Sequence, residues 1–181
     1  MNQKIRRVNV FGGPGLGKST LAAKLFAELK IKSYDVEHIS EFIKTWAHAG
    51  RIPESFDQHY VFAKQLHAED MALRNVKLIV TDSPLLLNCA YGRFYGFHPY
   101  LEMIAIAKHF DEVFPPLNLL IQRTVDYNEA GRYQNLDQAK KFDVLLEDSL
   151  YDQQYHKVDV GQFGDIMNLV EFSLQTEGFD V

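Results

Sequence analysis

The sequence predicts an α/β fold: a five-stranded parallel sheet between helices, in one domain over residues 1–181. Three observations carry this. Short apolar runs, several β-branched, alternate with longer stretches whose apolar residues recur at helical spacing. Each strand returns through such a helical stretch, which makes the strands parallel and covers both faces of the sheet. A Gly-rich loop, Gly12 to Thr20, lies between the first strand and the first helix.

The elements follow in order. Ile5 to Phe11 is a buried strand and Ser19 to Leu29 an amphipathic helix. Tyr34 to Ile39 is a second, weaker strand. Ser40 to Ala49 is predicted helical, with Gly50 able to stop it. Phe56 to Arg74 is a long helix in which Phe56, Tyr60, Ala63, Leu66 and Met71 repeat at helix-like spacing. Lys77 to Thr81, with Ile79-Val80 at its centre, is the clearest strand. Leu85 to Phe94 and Leu101 to His109 are helical. Leu117 to Gln122 is a strand after Pro115-Pro116. Arg123 to Asn135 is polar and contains Gly131, so it is predicted as a loop. Leu136 to Leu150 is a helix, Lys157 to Val160 a short strand, Gly161 to Gly164 a turn, and Asp165 to Leu174 a closing helix.

Composition bounds the function. Of 181 residues, 46% are hydrophobic and 24% charged, ordinary for a globular domain. A net charge of −5 argues against broad nonspecific nucleic-acid binding. The single cysteine, Cys89, excludes an internal disulfide and fits a reducing compartment. No apolar run approaches a membrane span, and basic Met1 to Arg7 leads into the first strand without a signal-type apolar region.

The loop carries the chemistry. Gly12-Gly13-Pro14-Gly15-Leu16-Gly17-Lys18-Ser19-Thr20 fits G-x-x-x-x-G-K-[ST], the P-loop spacing. Glycines let backbone N–H groups converge on phosphate oxygens, and the helix N-terminus adds positive potential. Gly13, Gly15, Leu16, Gly17, Lys18, Ser19 and Thr20 are expected against a nucleoside triphosphate. Lys18 reaches the β- and γ-phosphates, and Ser19 ligates Mg²⁺.

Ligands of such sheets bind at the carboxyl ends of strands. Asp82 ends its strand and is expected near Mg²⁺, with Ser83 assisting; Asp82-Ser83-Pro84 can equally cap the next helix. Asp35, Glu37 and Glu41 surround the end of the second strand, and Glu41 is best placed to accept the proton of an acceptor hydroxyl. Lys44 is a candidate helix partner of Glu41 at i,i+3. Arg123 ends a strand and Arg132 sits in the polar loop, where guanidinium groups can stabilise charge on a transferring phosphoryl group. Gln58 and Gln65 share a helix face and either contact a base edge or are ordinary amides. The aromatic stretch Tyr91 to Tyr100, with Arg93, either stacks a base or forms a packed corner. His38, His59 and His67 lack metal-ligand spacing. The turn Asp159 to Gln162 is positioned to touch adenine.

With these residues placed, the chain resembles the P-loop kinases of the nucleoside and nucleotide kinase type. Asp82-Ser83-Pro84, Glu41 and Gly131-Arg132-Tyr133 correspond to their acidic strand-end motif, their carboxylate after the second strand and a short Arg-bearing lid. Within that group it is similar to small phage-encoded P-loop kinases, including 5-hydroxymethyluracil DNA kinases, and less closely to the ribosylnicotinamide kinase type. Phe11-Gly12-Gly13-Pro14-Gly15, Thr81-Asp82-Ser83-Pro84-Leu85 and Gly131-Arg132-Tyr133-Gln134 carry that likeness; Lys44 stands where the ribosylnicotinamide type would have an Arg. The resemblance implies a P-loop NTPase fold of kinase type. It implies ATP and Mg²⁺ as cofactors, with catalysis by Lys18, Glu41, Asp82, Arg132 and Arg123, and Ser19 and Asp82 as metal ligands. It implies a cytoplasmic location, the host cytoplasm if phage-encoded. The acceptor is nucleoside-like: the resemblance favours the 5-hydroxymethyluracil base in phage DNA, with a free nucleoside or a nucleoside monophosphate as the alternative. The competing class is an ATPase or GTPase switch working through a partner protein. An AAA+ machine is disfavoured because its usual second subdomain finds no room.

Overall fold

β1 (Arg7–Phe11) is buried along its whole length and lies at the centre of the sheet. Around it stand β2 (Val36–Ile39), β3 (Leu78–Thr81), β4 (Pro116–Ile121) and β5 (His156–Val158), in the order β2-β3-β1-β4-β5. Every neighbouring pair is parallel, as predicted. The computed structural model describes residues 4–44, 46, 49–51, 54, 56–98, 100–123 and 135–176. The helices among them are α1 (Lys18–Ile31), α2 (Asp57–Leu73), α3 (Leu85–Phe94), α4 (Tyr100–Val113), α5 (Leu136–Ser149) and α6 (Phe163–Thr176).

Strand alternation divides the apolar residues between two cores. Val8, Val10, Val80, Leu119 and Ile121 face Leu25 and Leu29 of α1 and Val170 and Leu174 of α6. Phe11, Ile79 and Leu120 face the other way, toward Phe62 of α2, Leu87 of α3, Met103 of α4 and Phe142 of α5. Burial on both sides explains why the central strands read as continuous apolar runs.

The second face carries a buried polar network. Arg7, fully buried on β1, donates to Glu69 at 3.3 Å and to Asp111, and to the Phe114 carbonyl at 2.9 Å. One guanidinium serves two carboxyls. Burial therefore pushes the Glu69 and Asp111 pKa values up despite the Arg7 charge. Gln65 donates to Glu69 and to Thr81 Oγ1, at 3.0 and 3.1 Å. Gln58 donates to the Asn88 carbonyl at 3.0 Å. Both glutamines are buried, so the shared face predicted for them points into the core.

Of three further stretches, one differs from expectation, one takes one of its two expected forms, and one falls outside the described residues. The helix predicted from Ser40 starts late: 40–41 are irregular and 42–43 form a turn. The cause is tertiary, since the Glu41 N–H donates to Asp82 at 2.8 Å and is drawn out of a helical path. The aromatic stretch is a packed corner, with Tyr91 stacked on Phe142 at 4.1 Å and Phe94 edge-on to the same ring. The expected lid, with Arg132, falls on 124–134, outside the described residues. The chain resumes at Asn135, which caps α5: its side chain accepts from the Gln138 N–H at 2.9 Å while Gln138 accepts from the Asn135 N–H at 3.0 Å.

Candidate active site

The loop after β1 turns into α1 at Gly17, which has φ +80°, a left-handed conformation that favours glycine. Gly17 offers no capping side chain, so the first N–H groups of α1 stay directed at whatever anion lies before them. Lys18, the first helical residue, donates to the Gly13 carbonyl at 3.1 Å and so arches back over the loop.

Gly13 is glycine for a different reason. A Cβ there would stand 1.8 Å from Asp143 Oδ1. Asp143, on α5, accepts from Arg123 Nε at 2.6 Å and Nη2 at 3.1 Å, and Arg123 Nη2 also donates to the Pro14 carbonyl at 3.0 Å. Arg123 thus ties the end of β4, the loop and α5 together. Asp143, twenty positions beyond Arg123, carries no local signal by which the sequence would single it out.

β3 pairs directly with β1, which brings Asp82 beside the loop. Asp82 is buried. Its Oδ1 accepts the Glu41 N–H, and its Oδ2 accepts from Lys44 Nζ at 2.6 Å. Lys44 Nζ also donates to Ser19 Oγ. Burial alone would raise the Asp82 pKa, but hydrogen bonds from Lys44 and Ser19, with the Lys44 charge, hold it below the usual carboxylate range. Lys44 is therefore hydrogen-bonded into the Ser19–Asp82 cluster, and its charge also acts on Glu41. Ser83 turns away: Asn88 donates to its Oγ at 3.2 Å. The helix-cap alternative fails too, because Pro84 is the N-cap of α3 and no side chain caps it.

Glu41 lies in the same cluster. Its surroundings desolvate the carboxyl and push its pKa up, and the Lys18 and Lys44 charges pull it partly back. Asp35 belongs to the opposite end of β2, where it accepts the Lys77 N–H at 3.1 Å. Glu37 is exposed and accepts the N–H of its neighbour His38 at 3.2 Å. His38 stacks on Phe26, and burial lowers its pKa. Cys89 is buried among apolar residues, which pushes its thiol pKa up and leaves it inert.

Hard oxygen donors converge here. Ser19 Oγ and Asp82 Oδ2 already meet on one cation, the Lys44 ammonium. Hard oxygens of this kind are what a small divalent cation prefers. Among the described residues no group of three His, Cys, Asp or Glu is able to hold a metal ion.

Next to Glu41 an aromatic group emerges that the sequence reading missed. Phe42 meets the rings of Trp46 and Tyr60 at 5.8 and 5.7 Å, and Trp46 stacks on Tyr60 at 5.9 Å. The Arg51 guanidinium lies 3.5 Å above Trp46 and pairs with Asp57. Trp46, Arg51, Glu54, Phe56, Asp57 and Tyr60 line an open cavity of about 540 Å³. The one signal was the single tryptophan of the chain. On the far side of the loop, a Cβ on Gly17 would stand 4.0 Å from Val160, so the turn after β5 borders the loop.

Residues 7–166 match the family described as AAA domain. The chain belongs to that family. No curated protein matches the sequence. Many solved structures share the fold, three of which follow. A NadR protein in complex with NR has a TM-score of 0.72 at 15% identity, over 94% of this chain and 52% of its own. A NadR protein in complex with NAD and AMP-PNP gives 0.65 at 14%, over 94% and 50%. Thymidylate kinase from Ehrlichia chaffeensis gives 0.64 at 15%, over 96% and 100%. The chain thus spans about half the length of the NadR structures and the whole of the thymidylate kinase. These likenesses establish the P-loop NTPase fold that the sequence predicts. Among the described residues no helix is long and apolar enough to cross a membrane.

Proposed function

We propose that the chain is an ATP-dependent kinase that transfers the γ-phosphoryl group to a hydroxyl of a nucleoside-like acceptor. One observation carries the reading. Glu41, with its raised pKa, is held by its own backbone against Asp82, beside the P-loop. A carboxyl poised there suits a hydroxyl nucleophile, of an acceptor or of water, and the acceptor assay below separates the two.

In this reading the loop N–H groups and Lys18 bind the triphosphate, and the turn 159–162 borders the adenine. Ser19 and Asp82 would hold Mg²⁺, which supplies neutralisation of the phosphate charge. Glu41 takes the proton of the acceptor hydroxyl as its oxygen bonds to the γ-phosphorus. The bond from that phosphorus to the β,γ-bridging oxygen breaks, and ADP leaves. Arg132 stabilises the transferring group, and Arg123 acts behind it by fixing the loop through Pro14 and Asp143.

The acceptor side is the aromatic wall of Trp46 and Tyr60, which suits a flat ring. A free nucleoside or nucleoside monophosphate takes precedence over 5-hydroxymethyluracil in DNA. A DNA groove would need Lys44, Arg51, Arg93 and Lys108 together. Instead they pair separately, with Asp82, Asp57, Asp148 and Asp152. The fold relatives, a NadR protein in complex with NR and a thymidylate kinase, support small acceptors. The test offers radiolabelled ATP with nucleosides, nucleoside monophosphates, plain DNA and hydroxymethyluracil DNA. Label is expected on a nucleoside or its monophosphate. Steady hydrolysis with label on none of them refutes the kinase reading and favours a switch.

A further inference from the structure

Lys44 lies among the described residues of the site, and the proposed reaction does not use it. Its ammonium contacts both Ser19 Oγ and Asp82 Oδ2, the two protein atoms assigned to the metal. Two cations brought to contact distance on the same pair of oxygens repel each other, so a divalent ion and the ammonium compete for them. The two oxygens of Asp82 are also held differently. Oδ1 accepts a backbone N–H and is fixed, whereas Oδ2 is held by a flexible side chain. The Lys44 side chain is 38% exposed while Asp82 is 0%, so the ammonium can withdraw toward solvent without unpacking the core.

We propose that Lys44 is a tethered stand-in for the divalent cation. It neutralises the buried Asp82 and holds it to Ser19 until a metal ion arrives, and it must leave as that ion binds. The physical need is plain: an ionised carboxylate buried without a partner is costly, and its site would deform. A lysine suits the part better than an arginine. Its compact charge on a four-carbon stem reaches between two oxygens and retreats, whereas a guanidinium fork would grip the carboxylate bidentately. The consequence is competition: the loop in its resting state binds divalent ions weakly, and metal uptake is coupled to movement of residue 44.

This inference rests on Ser19 and Asp82 being the metal ligands, and the experiment separates the two ideas. Mn²⁺ binding to the nucleotide-free protein is measured by the electron paramagnetic resonance signal of free Mn²⁺, for wild type, Lys44→Met, Lys44→Arg and Asp82→Asn, each checked by thermal melting. Lys44→Met should bind Mn²⁺ about tenfold more tightly, and Lys44→Arg should not. Unchanged or weaker binding by Lys44→Met overturns the proposal. Should Lys44→Met fail to fold, the Lys44 Nζ ¹⁵N resonance of the wild type decides. A shift on Mg²⁺ addition supports the exchange, and an unmoved resonance at saturation overturns it. Asp82→Asn that binds as wild type refutes the metal assignment itself, and the proposal with it. A protein that transfers no phosphoryl group yet shows tighter binding by Lys44→Met refutes only the kinase reading.

Discussion

Replacing Gly13 by alanine tests how the loop is held. Its backbone does not occupy the left-handed region, so alanine brings no conformational strain. The conflict is purely spatial, since the new Cβ would stand 1.8 Å from Asp143 Oδ1 and 3.2 Å from Arg123 Nη2. The backbone cannot yield easily, because Gly13 is buried between β1 and Pro14. The Asp143 carboxylate must rotate, and it then gives up the 2.6 and 3.1 Å bonds from Arg123. Hydrogen bonds to a charged, partly buried partner contribute about 1.5–3 kcal/mol. At roughly 2–4 °C per kcal/mol for a chain of this size, Gly13→Ala should melt about 3–12 °C lower. The assay is thermal unfolding of Gly13→Ala, Asp143→Ala and the double variant. Both single changes abolish the same ion pair, so the double variant should be scarcely less stable than Asp143→Ala alone. Additive losses, or a Gly13→Ala melt within a degree of wild type, would refute the steric account.

Other outcomes follow from the same geometry. Because burial raises the Glu41 pKa, the acid limb of the transfer rate should lie above the ordinary carboxylate range, and Glu41→Gln should abolish that limb and slow transfer roughly 10²–10⁴-fold. Lys18→Ala should cut transfer at least ~10²-fold with the melting temperature retained; near-normal transfer would remove the loop from the mechanism. Glu69 has a raised pKa in the folded state, so the stability tied to its protonated form is lost as pH rises through that value. Chemical denaturation should therefore show the deficit of Glu69→Gln relative to wild type shrinking from pH 4 to pH 8.

Much of this fold was legible in the chain because its strands are short, apolar and flanked by turn chemistry; β3 and α3 emerge within a residue of their predicted limits. Where reading failed, a long-range contact had overridden a local preference. Residues 40–43 have helical periodicity, but Asp82, about forty positions away, captures the Glu41 N–H. The same contact carries Lys44, expected as a helix partner of Glu41, to Asp82 and Ser19. Gln58 and Gln65 share a face as expected, but periodicity cannot tell whether an amide face meets water or Thr81 and Asn88. Asp82 and Ser19 were visible because strand end and helix start are themselves sequence signals. Asp143 and the Trp46–Tyr60 wall were not, since nothing local announces a pairing across helices.

Arg123 and Asn135 are each fastened where they stand, the first to Pro14 and Asp143, the second by its reciprocal cap with Gln138. The chain between them begins and ends at fixed posts. A substitution at either post would be felt in the phosphate cradle, because Arg123 holds the Pro14 carbonyl directly and Asn135 opens the helix that carries Asp143 against Gly13.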